Sequence, residues 1–433
     1  MKQLFFINDT AENKISFYHL ALFLVVLPYD FFYSQLVLIS FGIHTCIHIQ
    51  KEDLSKLVKK PFLLLISLYL LNLLAILYSS NKPEGLNLAV RQLGILLFPL
   101  FFSLTHLDLA RYRTQLLQVF ALACMVTVIY LYVDALRTMV VFHLPFSSMF
   151  TVNFMNHNFA LPIGIHATYL SMYLAFSIIA LLWLMIKKQA AMPRWMVIIA
   201  CLVLFAGLIQ LSSRAVFIAF LLIMNLAFPR FVFEGKKRVR FFLVTACISV
   251  AVLLLIFSVD AFKTRYVSEL RTDLTDKVKI IENTEPRLAR WELILELVKQ
   301  SPVVGYGSGS ETDLLKDRYF KKGLYISYLN EFNTHNQYLA VLLKTGIVGL
   351  LLFLCILYYG YAAAIKRKDL LLLAFMIMIS VVSLSENILD LNKGIFFYGF
   401  FFSMLLLFPQ TGPGKNGPVF MDDTGNLQEP VSV

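Results

Sequence analysis

Charge is what this chain has least of. Only 15% of its 433 residues are Asp, Glu, Lys or Arg, while 59% are hydrophobic. Soluble chains carry roughly a quarter charged residues, so a soluble globular domain is excluded. Cysteine is scarce as well. The five present (Cys46, Cys124, Cys201, Cys247 and Cys355) all fall inside apolar runs, and no CxxC spacing occurs. Neither a disulfide framework nor a thiolate metal site is therefore expected. No cleavable leader is legible, and the first apolar run follows a polar stretch and reads as an uncleaved anchor. No Asp-x-Asp pair stands beside Asp30 in the first loop, which counts against a metal held there by paired acids.

What the chain has instead is long apolar runs: Pro61 to Tyr78, Thr114 to Tyr132, Trp195 to Leu211, Phe241 to Val259 and Gly346 to Tyr359. A bilayer core takes roughly 17 to 25 apolar residues per helix, and read this way the chain holds about twelve spans. They cover 15–32, 33–50, 61–79, 88–106, 114–136, 163–187, 195–211, 214–233, 239–258, 336–362, 370–388 and 394–409. The expected fold is an all-α integral membrane protein.

Orientation follows from Lys and Arg in the short loops. With the N-terminus in the cytoplasm, the inner loops collect seventeen basic residues, among them Lys51, Arg113, Lys188, Lys237 and Arg367. The outer loops and helix ends hold five: Lys82, Arg91, Arg137, Arg214 and Lys393. This alternation accounts for the net charge of +11 without a nucleic-acid partner, because basic loops face anionic inner-leaflet lipid.

The organisation divides into 1–258, nine spans; 259–335, a polar outer loop; 336–409, three spans; and 410–433, a polar Pro/Gly-rich tail expected to be a disordered cytoplasmic segment. The outer loop is too long for an idle connection. It is expected to fold as helices over the membrane surface. One covers Pro286 to Gln300, with Thr284 as its cap and Trp291, Ile294 and Val298 on its apolar face.

Four features gather at the outer face. Arg214, in Ser212-Ser213-Arg214-Ala215, begins a span. A cation there works against the helix dipole, but an anion would be held by helix end and guanidinium together. A bland alternative is an arginine that snorkels to headgroups. Arg287 and Arg290 lie three apart on one helix face and suit a diphosphate, or else pair with acids such as Glu285 and Glu292. Gly305, Gly307 and Gly309 punctuate Pro302 to Gly309. Such a loop lets backbone approach an anion, although taken by itself a plain turn is the stronger reading. His335, in Asn333-Thr334-His335-Asn336-Gln337, opens the next span. A helix N-terminus disfavours imidazolium, leaving a neutral ring able to accept a proton. Arg91, His166 and Glu386 are further ionisable groups near the outer ends of spans, where such groups are functional candidates. Glu386 could orient His335, and all three could instead only position helices.

The order of these pieces resembles the O-antigen ligase family of membrane glycosyltransferases, which also includes O-antigen polymerases. The matching stretches are SSRA at 212–215, RLARW at 287–291, SPVVGYGSG at 301–309 and THNQYLAVLLKTGIVGLLLF at 334–353. The His-Asn pair, Tyr-Leu and Gly-Ile-x-Gly in the last are the most specific. The resemblance implies a GT-C-like bundle with one large periplasmic loop, in the bacterial inner membrane, with the active site facing the periplasm. It implies transfer of a glycan from undecaprenyl diphosphate to an acceptor hydroxyl, such as a sugar of the lipid A core. The reaction would invert the anomeric centre and need no metal or other cofactor. Arg214 and Arg287 would hold the diphosphate, with Arg290 a competing candidate. His335 would activate the acceptor, and Asn336 would belong to the same motif. The expected partners are the lipid-linked donor, the acceptor glycan and membrane lipid. A polymerase would use the same donor site with another acceptor. A flippase for lipid-linked sugars is the reading from a different class, but no internal repeat is legible and the notable charges avoid the midplane.

Overall fold

Residues 2–29, 31–273 and 285–409 are described by a computed structural model. Asp30, Thr284 and the tail 410–433 lie outside the described residues. The chain is built from helices, and no strand occurs among the described residues. In chain order the main ones are α1 (Ala11–Val26), α2 (Phe31–Ile47), α3 (Lys60–Leu74), α4 (Lys82–Leu104), α5 (Leu109–Val141), α6 (Ala167–Ile186) and α7 (Arg194–Leu211). There follow α8 (Arg214–Val232), α9 (Gly235–Ser258), α10 (Arg287–Gln300), α11 (Glu311–Lys321), α12 (Gln337–Arg367), α13 (Leu370–Val382) and α14 (Asn392–Leu407).

Each predicted span coincides with a helix, but not each helix is long enough for a bilayer. Among the described residues six are long and apolar enough to cross a membrane: α4, α5, α6, α7, α8 and α12. A seventh is reached if α3 is joined to the short helix Lys51–Val58 before it, across a 69° bend. Phe32–Ile47, α13 and α14 are apolar but shorter. The chain is thus a multi-pass membrane protein, and the expectation of about twelve crossings is not met by length and composition.

Helix α6 is apolar all round, and 83% of its most apolar window is buried. A helix hydrophobic on every side belongs at the centre of a bundle, and α6 is ringed by α5, α7, α13 and α14. Beside it, α14 lies against α4 closely enough that a Cβ on Gly399 would stand 2.8 Å from the Gly94 carbonyl oxygen. Phe98, Phe102, Phe400 and Phe23 interlock there, with Phe23 stacked on Phe400 at 5.5 Å. The basic end of the bundle holds a buried exception to the reading of exposed inner-loop charges. Arg113 forms a two-pronged pair with Asp369, both contacts 3.0 Å, and only 1% of Arg113 is exposed. Asp369 also caps α13 by accepting from the Leu371 and Leu372 N–H groups. Removing one member strands the other's charge. Arg113→Ala is therefore expected to cost about 3–5 kcal/mol, read as a lowered unfolding temperature of the purified protein in detergent. An unchanged unfolding temperature would show that the pair contributes nothing net.

The described residues of the polar segment form helices that share a small core with α12. Leu293, Ile294 and Leu297 of α10 meet Leu315 and Tyr319 of α11, and Leu343 of α12 completes the cluster. Trp291 and Val298 pack at its edge. The predicted start at Pro286 is one residue early: Pro286 is the cap and α10 begins at Arg287.

A break in α12 seats this segment. Gly346 has φ +63° and ψ −161°, so the helix is interrupted. An interruption frees backbone groups that must find partners in a membrane protein. Residues 302–307 supply them. The Leu343 and Lys344 carbonyls accept from the Tyr306 and Gly307 N–H groups at 3.0 and 2.8 Å, and the Ile347 N–H donates to the Pro302 carbonyl at 2.9 Å. Glycine is required at the contact because a Cβ on Gly305 would stand 2.5 Å from the Leu343 oxygen.

Candidate active site

His335 sits between the short helix Tyr325–Leu329 and α12, in a backbone held from both sides. Its φ is +44°, a left-handed conformation that side-chain-bearing residues seldom adopt. Such a conformation costs about 1–3 kcal/mol and persists only where neighbours over-determine it. Here the neighbours do. The His335 N–H donates to Asn333 Oδ1 at 2.9 Å. Asn387 Oδ1 accepts from the Thr334 hydroxyl and from the Asn336 N–H, both at 2.8 Å. The Thr334 N–H donates to Glu311 Oε1 at 3.0 Å, and its carbonyl accepts from the Trp291 indole. Asn336 then caps α12, its Oδ1 accepting from the Tyr338 and Leu339 N–H groups.

Behind this clamp lies a buried charge cluster. Lys344 Nζ stands 2.8 Å from Asp390 Oδ2 and 3.2 Å from Glu311 Oε2, and Asn387 Nδ2 donates to Asp390. Burial of ions is costly unless they are paired and hydrogen-bonded, and each of these is. The result is a rigid base under one residue. The His335 ring alone emerges from it, about a quarter exposed.

Glu386 faces the ring, its Oε2 3.5 Å from Nδ1. That is long for a hydrogen bond, so the carboxylate acts on the imidazole chiefly through its charge. Burial alone would push the Glu386 carboxyl up; the His335 contact and the Arg287 guanidinium instead hold it below the usual carboxylate range. His166 lies on the same side. It caps α6, packs 4.1 Å from the His157 ring, and is pushed down to about 4 by burial.

The arginines arrive from two helix starts. Arg214 is the first residue of α8, placed there by a left-handed Ser212 (φ +47°) that ends α7. Its Nη2 lies 2.6 Å from Asp273 Oδ2. Arg287, the first residue of α10, places Nε 3.7 Å from the same oxygen and donates from Nη1 to the Ser385 carbonyl at 3.0 Å. Asp273 thus occupies a seat between two guanidiniums, and Ser385 ties that seat to Glu386. Arg265, paired with Glu269, adds positive charge felt by both Arg214 and His166.

The structure separates Arg287 from Arg290. Arg290 is 6% exposed, with its guanidinium 5.0 Å over the Phe332 ring. Phe332 in turn meets His335 edge-on at 5.7 Å. Burial holds the Arg290 guanidinium below its usual value. Glu285, one candidate partner for these arginines, instead caps Tyr325–Leu329 by accepting from the Ile326 and Ser327 N–H groups. Arg91 pairs with Glu84 of its own helix. In the glycine loop, the Tyr306 and Gly307 N–H groups are committed to α12 and that of Ser308 to the Ala75 carbonyl. The structure therefore brings together His335, Glu386, His166, Arg214 and Arg287. Arg290 sits behind a ring, Asn336 serves as a cap, and Arg91, Gly305 and Gly307 make their contacts elsewhere.

Sequence reasoning missed His157, Arg265, Asp273, Glu311, Lys344, Asn387 and Asp390. Lys344 was findable, as a lysine inside an apolar run. Asp273 and Arg265 carry no local signal among the many charges of their segment.

Residues 199–354 match a family model described as O-antigen ligase. The match takes in Arg214, Arg287, His335 and the Gly346 break, and it ends before Glu386 and Asp390. No curated protein matches the chain.

Proposed function

We propose that the chain belongs with the O-antigen ligases, whose family model its residues 199–354 match, and that it transfers a glycan from undecaprenyl diphosphate to a sugar hydroxyl of the lipid A core. One observation carries the reading. Two arginines at helix starts converge on a single carboxylate oxygen of Asp273, beside the carboxylate that faces His335. Helix N-termini and guanidiniums are what a diphosphate requires, and an anion already fills the seat.

In the proposed reaction the acceptor oxygen attacks the anomeric carbon, and its proton passes to the His335 imidazole. The bond from that carbon to the diphosphate oxygen breaks, and the diphosphate leaves with the electron pair. Arg214 and Arg287 offset the charge that develops on it. Attack opposite the leaving group inverts the anomeric centre. Glu386 steadies the imidazolium formed in the step, and the clamp on Thr334 and Asn336 keeps the ring in place.

This reading assigns residues 259–335 to the periplasm as part of the active site, 1–258 and 336–409 to the inner membrane, and 410–433 to the cytoplasm. Reporter fusions at Lys188 and Lys237 are expected to give cytoplasmic signals and a fusion at Lys299 a periplasmic one. A cytoplasmic signal at Lys299 would overturn the site's placement.

Because the arginines supply the positive charge, transfer is expected to continue at full rate in excess chelator. Activity lost to chelator and restored by magnesium or manganese would point to a metal-assisted reaction instead. The function itself is tested by the glycans of a deletion strain. Loss of polymer from the lipid A core with lipid-linked polymer accumulating is the expected result. Single repeat units on the core would show a polymerase acting from the same donor site.

A further inference from the structure

A cavity lies where α5 ends under the stretch 142–166. It has a volume of about 360 Å³, within the range of about 300–1,000 Å³ usual for small-molecule sites. Its walls are of two kinds. Asp134, Thr138, Asn153 and Asn158 present oxygen and amide groups, and Phe154 and Phe159 form an apolar floor. Asp134 and Thr138 are four apart and share a face of α5.

Asp134 needs an explanation. It lies on an apolar helix, about two turns before the helix ends at Val141. It forms no ion pair among the described residues. Such an ionisable group in a membrane helix marks a functional site by default. The ligand is not anionic, because a carboxylate would repel it, and this separates the cavity from the arginine seat. Carboxylate and amides offer acceptors and donors for hydroxyl groups, and phenyl rings suit the C–H face of a sugar ring.

The cavity is fastened to the site. Gln210 of α7, four residues before Arg214, donates from Nε2 to the Met149 and Phe154 carbonyls at 2.8 and 2.5 Å. Its own carbonyl accepts from the Asn156 N–H at 3.1 Å. Asn156 is left-handed, with φ +55°, and the turn it makes delivers His157 to His166. Three residues thus lead from the cavity wall at Phe154 to a ring within the electrostatic reach of Glu386 and His335.

We propose that this cavity is a sugar subsite that seats a pyranose of one of the two glycan substrates next to the transfer centre. The proposal rests on the glycosyltransferase reading, and its test keeps the two apart. Purified full-length protein in lipid would be assayed with undecaprenyl diphosphate-linked glycan as donor and rough lipopolysaccharide as acceptor. Binding of undecaprenyl diphosphate without a glycan would be measured separately. A hydrogen bond to a charged group contributes about 1.5–3 kcal/mol and a neutral one about 0.5–1.5 kcal/mol, so Asp134→Asn is expected to raise one substrate's KM by about 10- to 100-fold and Asn158→Ala by about 2- to 10-fold. Glycan-free undecaprenyl diphosphate should bind these variants as it binds the unaltered protein, which also reports correct folding. A rise confined to lipopolysaccharide assigns the subsite to the acceptor, and a rise confined to the donor glycan assigns it to the donor. Unchanged KM for both substrates in variants that still bind undecaprenyl diphosphate would overturn the subsite. Absence of transfer by the unaltered protein would overturn the glycosyltransferase reading.

Discussion

His335→Ala is expected to slow glycan transfer by roughly 100- to 10,000-fold, the usual loss for a general base, with donor affinity within a few fold of the unaltered protein. The split follows from geometry: the ring faces Glu386, whereas the anion seat is made by Arg214 and Arg287. The rate of the unaltered protein should fall in acid, because imidazolium cannot accept a proton. Loss of the Glu386 contribution to stability would enter separately. The Glu386 carboxyl is held below its ordinary value, so its stabilising contribution is fully present above the unfolded carboxylate range. That contribution is lost only as pH falls through the lower folded value. Glu386→Gln removes the negative charge that favours imidazolium, and the acid limb of the profile should move to lower pH. The measurements are rate against pH for each variant, with thermal unfolding recorded at each pH. Near-normal turnover by folded His335→Ala would make the histidine structural, and the base would then be sought at Glu386.

Arg287→Lys should behave as a loss rather than a conservative change. Lysine keeps the charge but lacks the planar fork, and Arg287 uses Nε toward the anion seat while Nη1 holds the Ser385 carbonyl. One ammonium cannot serve both. A fall of roughly 100- to 1000-fold in transfer is expected, as for removal of a transition-state electrostatic contact, together with weaker donor binding. Arg214→Ala should do the same. Arg290→Met offers the contrast, since that guanidinium covers Phe332; donor affinity should hold while turnover falls through the displaced ring beside His335. Asp273→Ala removes the internal anion, so undecaprenyl diphosphate should bind more tightly. Binding and turnover of purified variants would be compared directly. If Asp273→Ala weakened binding, Asp273 would not mark the diphosphate seat.

Much of the architecture is legible in the residues alone. Apolar runs place the helices because a bilayer demands internally satisfied backbone over a set length. Arg214 and Arg287 stand out because each opens a helix, and His335 because it directly precedes the cap of one, a local pattern. The helix Arg287–Gln300 is legible for the same reason, in the spacing of Trp291, Ile294 and Val298.

Other features have no local signature. The glycine loop has the composition of an anion cradle, yet the Tyr306 and Gly307 N–H groups are consumed by the break at Gly346, about forty residues away in the sequence. Arg287 and Arg290 are equivalent on a helical wheel. Only the positions of Asp273, Ser385 and Phe332 distinguish them.

The sequence by itself determined that the chain is a helical membrane protein, where its helices fall, and which cations and which histidine stand at helix starts. These depend on composition and on residues within a turn of one another. The tertiary structure alone decided that Asp273 sits between two arginines, that Asn387 and Glu311 clamp the backbone around a left-handed His335, and that Lys344 is buried between two acids. Each of these joins residues far apart along the chain, and pairing of buried charge is set by which helices meet, not by any spacing within one of them.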